Sequence, residues 1–133
     1  MLTRSQEREQ AFLLLFEQLF QPELEAAELM QLGLDSEYIE PSASTEQLVT
    51  AAKAHQEELD DKITTYAVGW TLDRMSKVSL AILRLAITEI LYFEDVPVGV
   101  TINEAVELAK KYAGKEDSSF INGILGTLSR TEA

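Results

Sequence analysis

The chain has 133 residues, 46% of them hydrophobic and 26% charged, with no cysteine and a formal net charge of −12. That length and balance suit one globular domain able to bury a core unaided, and exclude a disordered chain, a disulfide scaffold and thiolate chemistry. The charge is uneven: residues 1–62 hold 14 acidic and 4 basic side chains, residues 63–133 hold 9 and 7, so the total hides basic islands at Arg74, Lys77, Arg84 and at Lys110, Lys111, Lys115.

The opening MLTRSQEREQ has no apolar stretch of signal-peptide type, and no run approaches the roughly 18 apolar residues of a membrane span. A cytoplasmic chain is expected. From Arg4 to Phe20, Phe12, Leu15, Phe16 and Leu19 recur at helical spacing, widened by Leu13, Leu14 and Phe20, and Pro22 stops the helix. Residues 23–32 predict a short helix ended by Gly33. Residues 34–43 read as a linker, after which Ser44-Thr45-Glu46-Gln47 has the pattern of a capping box with Ser44 as cap. The periodic stretch 45–69 is free of Gly and Pro until Gly69, and leaves one long helix and two shorter ones, broken near His55 to Glu58, equally open.

From Ser76 a helix that is apolar on nearly every side is expected to be central and buried. The β-branched run 96–102 contains Pro97 and Gly99 and reads as a connector. Thr101-x-x-Glu104 reads as a second capping box, opening a helix that Gly114 closes. Glu116-Asp117-Ser118 supplies caps for a last helix carrying Phe120, Ile121, Ile124, Leu125 and Leu128. No alternating strand pattern is found, so the fold class is all-α, with six or seven helices in a single domain spanning 1–133.

Chemistry is sparse. One histidine and no cysteine leave only carboxylates for a metal, and Glu57, Glu58, Asp60 and Asp61 lack calcium-loop spacing. No nucleophile elbow and no phosphate-cradling glycine pair occurs, so no enzyme, no cofactor and no metal is expected. Recognition surfaces remain. Arg4 and Arg8, four apart, are expected on one helix face. Lys115 to Phe120 offers hydroxyls, carboxylates and a ring at a helix N-terminus. Arg84 is expected to pair with Glu89 or Glu107, His55 to sit at a core boundary, Asn122 to bond a buried backbone group, and Gly123 to permit close helix packing.

Together, R-x-x-A-F-x-L-L-F at Arg8 to Phe16 and the C-terminal LDRMSKVSLAILRLAITEILYFEDVPVGVTINEAVELAKKYAGKEDSSFINGIL resemble the NusB family of transcription antitermination factors. The resemblance implies two small helical subdomains packed across each other. It also implies a non-enzymatic role: binding boxA RNA of ribosomal RNA leader transcripts with the partner NusE, a small-subunit ribosomal protein, to assemble a processive RNA polymerase complex. On this sequence the family's RNA-contacting positions fall on Arg4, Arg8, Glu116, Asp117, Ser119 and Phe120, and its NusE-facing positions on Phe16 and Ser79. Members often begin with consecutive arginines, where this chain has Ser5, Gln6 and Glu7. They often carry a lysine where Ser119 stands and an acidic residue where Ser79 stands. Fewer cationic contacts imply weaker intrinsic RNA affinity and greater reliance on NusE for phosphate contacts; at the extreme, the chain is a protein-binding helical adaptor. A second reading, a NusB-like RNA-binding appendage of a ribosomal RNA methyltransferase, is not the one expected, since 133 residues leave no room for a cofactor-binding α/β domain beside the helices. The resemblance leaves monomer and homodimer open.

Overall fold

A computed structural model describes residues 1–132. It holds seven α-helices: α1 (Arg4–Phe20), α2 (Ala26–Asp35), α3 (Ala43–Ala54), α4 (Gln56–Tyr66), α5 (Lys77–Tyr92), α6 (Val98–Tyr112) and α7 (Lys115–Glu132), with a 3-10 turn at Leu72–Arg74. No strand occurs among the described residues, as the all-α reading expects.

α5 is the axis of the molecule. Every residue from Ser79 to Ile90 is buried, including Leu83 and Ile87 at 0% exposure. A helix apolar all round needs neighbours all round. α5 packs on α1, α3 and α4 on one side and on α6 and α7 on the other, while α1, α2 and α3 pack among themselves and α6 lies along α7. This gives two helical groups sharing α5. Truncating a fully buried side chain such as Leu83 to alanine costs about 2–5 kcal/mol.

Several boundaries differ from the sequence expectation. α1 starts where expected, with Thr3 and Gln6 forming a reciprocal capping box: the Gln6 amide N–H donates to Thr3 Oγ1 at 3.1 Å and the Thr3 N–H to Gln6 Oε1 at 2.8 Å. Gly33 does not end α2. It is buried inside the helix, which runs on to Asp35, because Ile39 and Leu14 occupy the space a side chain would take. α3 is capped by Ser42 rather than Ser44: Ser42 Oγ accepts from the Thr45 N–H at 3.0 Å and donates to Glu7 at 2.6 Å. Gln10 holds this entry from the α1 side, accepting from the Glu40 N–H at 2.6 Å and donating to Glu40 O and Thr45 Oγ1.

The stretch left open is two helices. The break falls at His55, which lies at the core boundary as expected: its side chain is partly exposed and its ring stacks on Tyr92 at 4.0 Å. At this point the chain exchanges the α1 and α2 neighbours of α3 for the α7 neighbour of α4. The run 96–102 is no connector beyond Pro97: α6 begins at Val98, since the N–H groups of a first helical turn need no intrahelical acceptor. Thr101 is therefore a helix-interior residue, not a cap.

Candidate nucleic-acid interface

The two N-terminal arginines have different fates. Arg4 is exposed in the first turn of α1 and lines a cleft of about 310 Å³ with Glu7, Glu89 and Asp95. Four residues on, the helix has turned by about 40° beyond a full revolution, and Arg8 lies beneath α5 and α6 at 8% exposure. Its Nε donates to both Glu89 oxygens at 2.9 Å, its Nη2 donates to Glu89 Oε1 at 2.7 Å, and Nη1 reaches Glu104 at 3.5 Å. Thr101 Oγ1 adds a donor to Glu89 at 3.0 Å. The hydrogen bond to Glu89 holds the Arg8 guanidinium above its ordinary pKa despite burial. Arg8, expected in the basic arm with Arg4, is instead largely buried and spends its Nε and Nη2 on Glu89, while still lining the cleft with Arg4. Glu89 being committed here, Arg84 pairs with Asp60 instead, at 2.8 and 2.9 Å, and not with Glu89 or Glu107.

The second cluster surrounds the start of α7. Glu116, Asp117 and Ser118, expected as caps ahead of the last helix, already lie inside it, because α7 begins at Lys115 directly after Gly114 (φ +150°). Glu116 and Ser119 are exposed, and Ser118 is buried with its Oγ donating to Lys115 O at 2.8 Å. Asp117 does not cap its own helix. It accepts from Ser76 Oγ at 2.6 Å and Ser79 Oγ at 2.9 Å, fastening α7 to the first turn of α5. Ser79 is 1% exposed, which corrects its expected place on a partner-facing surface. Phe16 is half-buried between Phe12 and Phe20, with ring centroids 6.2 and 5.2 Å away.

Around the Ser76–Asp117 bond lie side chains that motif reading did not join. Trp70, 46% exposed, packs its ring 5.3 Å from Phe120, and the Arg74 guanidinium lies 5.9 Å from the Trp70 ring. Lys77 sits 5.6 Å from the ring of Phe20, which is 56% exposed. Two cation–aromatic pairs thus flank a polar seam, one built on Trp70 and Phe120, the other on Phe20 beside Phe16. Flat rings with adjacent cations can stack on bases and meet phosphates. The sequence signal for Trp70 was faint: a lone tryptophan after Gly69, which takes φ +85°.

Asn122 and Gly123 are exposed, and a Cβ on Gly123 would meet nothing within 4 Å, so neither has its expected packing role. Among the described residues no group of three or more His, Cys, Asp or Glu is placed to hold a metal ion, and no helix is long and apolar enough to cross a membrane.

The family profile described as the NusB family matches residues 5–130. The transcription antitermination protein NusB of Agathobacter rectalis is 44% identical over 128 residues, covering 93% of this chain and 97% of that protein. The Bacillus subtilis protein of the same name is 40% identical over 127 residues, covering 96% and 95%. A crystal structure of antitermination factors NusB and NusE in complex with dsRNA superposes with a TM-score of 0.84 at 28% identity, covering 96% of each chain.

Proposed function

The chain belongs to the NusB family, and on that premise we propose that it is a transcription antitermination factor that binds RNA together with NusE. NusB proteins are regulatory, non-catalytic factors, and this reading gives the chain no catalytic step. It acts in the cytoplasm as a single domain within an RNA polymerase complex, on boxA RNA of ribosomal RNA leader transcripts.

The observation that carries the reading is the alignment of nearly the whole chain with a NusB relative at 44% identity. Locally it is supported by the aromatic and cationic side chains gathered at the joint of α5 and α7. Trp70, Arg74 and Phe120 serve as the RNA platform, Phe16, Phe20 and Lys77 as the NusE side, and Arg4 as a separate phosphate contact at the far end of α1. Glu116, Asp117 and Ser119 border the platform. The inward commitment of Arg8 favours a second emphasis within this reading: the protein alone holds RNA weakly, and basic NusE supplies most phosphate contacts.

Trp70→Ala and Arg74→Gln test the platform, both residues being exposed enough to change without loss of the fold. Base–aromatic stacking is worth about 1–3 kcal/mol, so RNA binding in the presence of NusE should weaken by roughly 5- to 150-fold for Trp70→Ala, with NusE pairing unchanged. RNA affinity equal to that of the unaltered protein in both variants removes the platform from this reading.

A further inference from the structure

We propose that the groove between α6 and α7 binds a short segment of single-stranded RNA, with Lys110 and Lys115 on its phosphates and Asn103 and Asn122 on its base or ribose edges. The proposal rests on the RNA-binding reading above and extends it to a surface that none of the family-implied positions except Ser119 touches.

The groove has a volume of about 450 Å³, and no carboxylate lines it. In a chain with 23 acidic and 11 basic residues that is a marked local exception. The clefts along α1 and α2 differ: one is lined by Glu7, Glu89 and Asp95, another by Glu9, Glu104 and Glu107, a third by Glu46. Carboxylates oppose the cations Arg4, Arg8 and Lys111 in the first two of those clefts, whereas the cations of the α6–α7 groove face no carboxylate in its lining.

Its cations are available. Lys115 has no carboxylate within 4 Å among the described residues. Lys110 meets only Glu107 at 3.6 Å, with both side chains more than half exposed, a pair too loose to hold it. Asn103 and Asn122 stand on exposed helix surface, where asparagine is a poor helix former, and their amides have no hydrogen-bond partner among the described residues. Each offers both a donor and an acceptor, the combination needed at base edges. Ile102 and Val106 form an apolar floor between the polar groups.

Asn103 and Lys110 are seven residues apart on α6, about 10 Å along the axis, so the groove takes a short segment rather than a single phosphate. Ser119 lines the groove and precedes Phe120, whose ring packs on Trp70. The aromatic platform and the groove thus meet at adjacent residues of the first turns of α7.

The test is fluorescence anisotropy of a labelled boxA RNA with NusE across a salt series, comparing Lys110→Gln/Lys115→Gln with a control pair, Lys53→Gln/Lys62→Gln, that removes the same charge from α3 and α4. Each single-strand phosphate contact contributes about 0.7 to the slope of log affinity against log salt. The groove pair should lower the slope by about 1.4 and weaken binding by about 25-fold at 0.1 M salt relative to 1 M. The control pair should do neither, and NusE pairing should hold for both. Equal losses in the two pairs, or no loss in the groove pair, overturn the groove while leaving RNA binding in place. No RNA binding by the unaltered protein with NusE overturns the functional reading, and the groove with it.

Discussion

Replacing Glu89 by glutamine isolates the buried ion pair that ties α1 to α5. The amide keeps an acceptor for the Thr101 hydroxyl, but leaves Arg8, 8% exposed, facing Glu104 at 3.5 Å as its closest remaining carboxylate. Removing one member of a buried pair costs about 3–5 kcal/mol, because an uncompensated charge stays behind. Glu104 is partly exposed and offsets some of this, so a loss of about 3 kcal/mol is expected. Set against a total stability of about 5–15 kcal/mol, that is a large fraction. With a urea m-value of about 2 kcal/mol/M, the unfolding midpoint should fall by about 1.5 M. The double variant Arg8→Met/Glu89→Leu removes both charges and should come within about 1 kcal/mol of the original, since apolar replacement of a buried pair is often neutral. A loss below about 1 kcal/mol for Glu89→Gln would refute the structural role given to Arg8, as would a double variant no more stable than the single one.

Gly33→Ala should lower the melting temperature: the added Cβ would lie 2.8 Å from Ile39 Cδ1 and Cγ1 and 3.1 Å from Leu14 Cδ2, and overpacking of about 1–3 kcal/mol outweighs a helix-propensity gain of about 1 kcal/mol. A rise in melting temperature would show that Ile39 yields easily. Ser76→Ala removes both the cap of α5 and a hydrogen bond to Asp117, and should cost about 1 kcal/mol in urea unfolding; an unchanged midpoint contradicts the fastening of α7 to α5. Burial pushes the Glu9 carboxyl up, but hydrogen bonds from Lys111 at 2.6 Å and Tyr112 at 2.5 Å bring it below its ordinary value. A depressed carboxylate stabilises the fold above its unfolded pKa, and that contribution is lost as pH falls through its folded pKa. The melting-temperature gap between the original and Glu9→Gln should therefore be present near neutrality and shrink as pH drops through the carboxylate range; a gap independent of pH means that Glu9 is not ionically held.

How far the sequence spoke depends on the range of each interaction. The stripes of α1 and the dense apolar run of α5 are local patterns, and both helices appear where periodicity puts them. The caps were harder, because P-S-A-S-T-E-Q offers two serines and a threonine. Ser42 wins through contacts with Glu7 and with the Gln10-held entry, more than thirty residues earlier in the chain. Thr101-x-x-Glu104 has capping-box spelling, yet Thr101 spends its hydroxyl on Glu89, twelve residues back. Gly33 looked like punctuation because its packing against Ile39 and Leu14 is tertiary.

The interface residues divide in the same way. Phe120 and Asp117 were legible at a helix start, but Asp117's partners Ser76 and Ser79 lie 41 and 38 residues away. Those bonds draw Ser79 inward and bring Trp70 and Arg74 alongside Phe120. Arg8 was misread for the same reason: its partner Glu89 is 81 residues distant, and nothing around Arg8 in the chain announces it.

The measurement that bears most directly on the central claim is binding of labelled boxA RNA, against a scrambled RNA of the same composition, by the protein alone and with NusE. Weak, poorly selective binding alone and tight, boxA-selective binding with NusE is the predicted result. Absence of selective binding with NusE present would contradict the account.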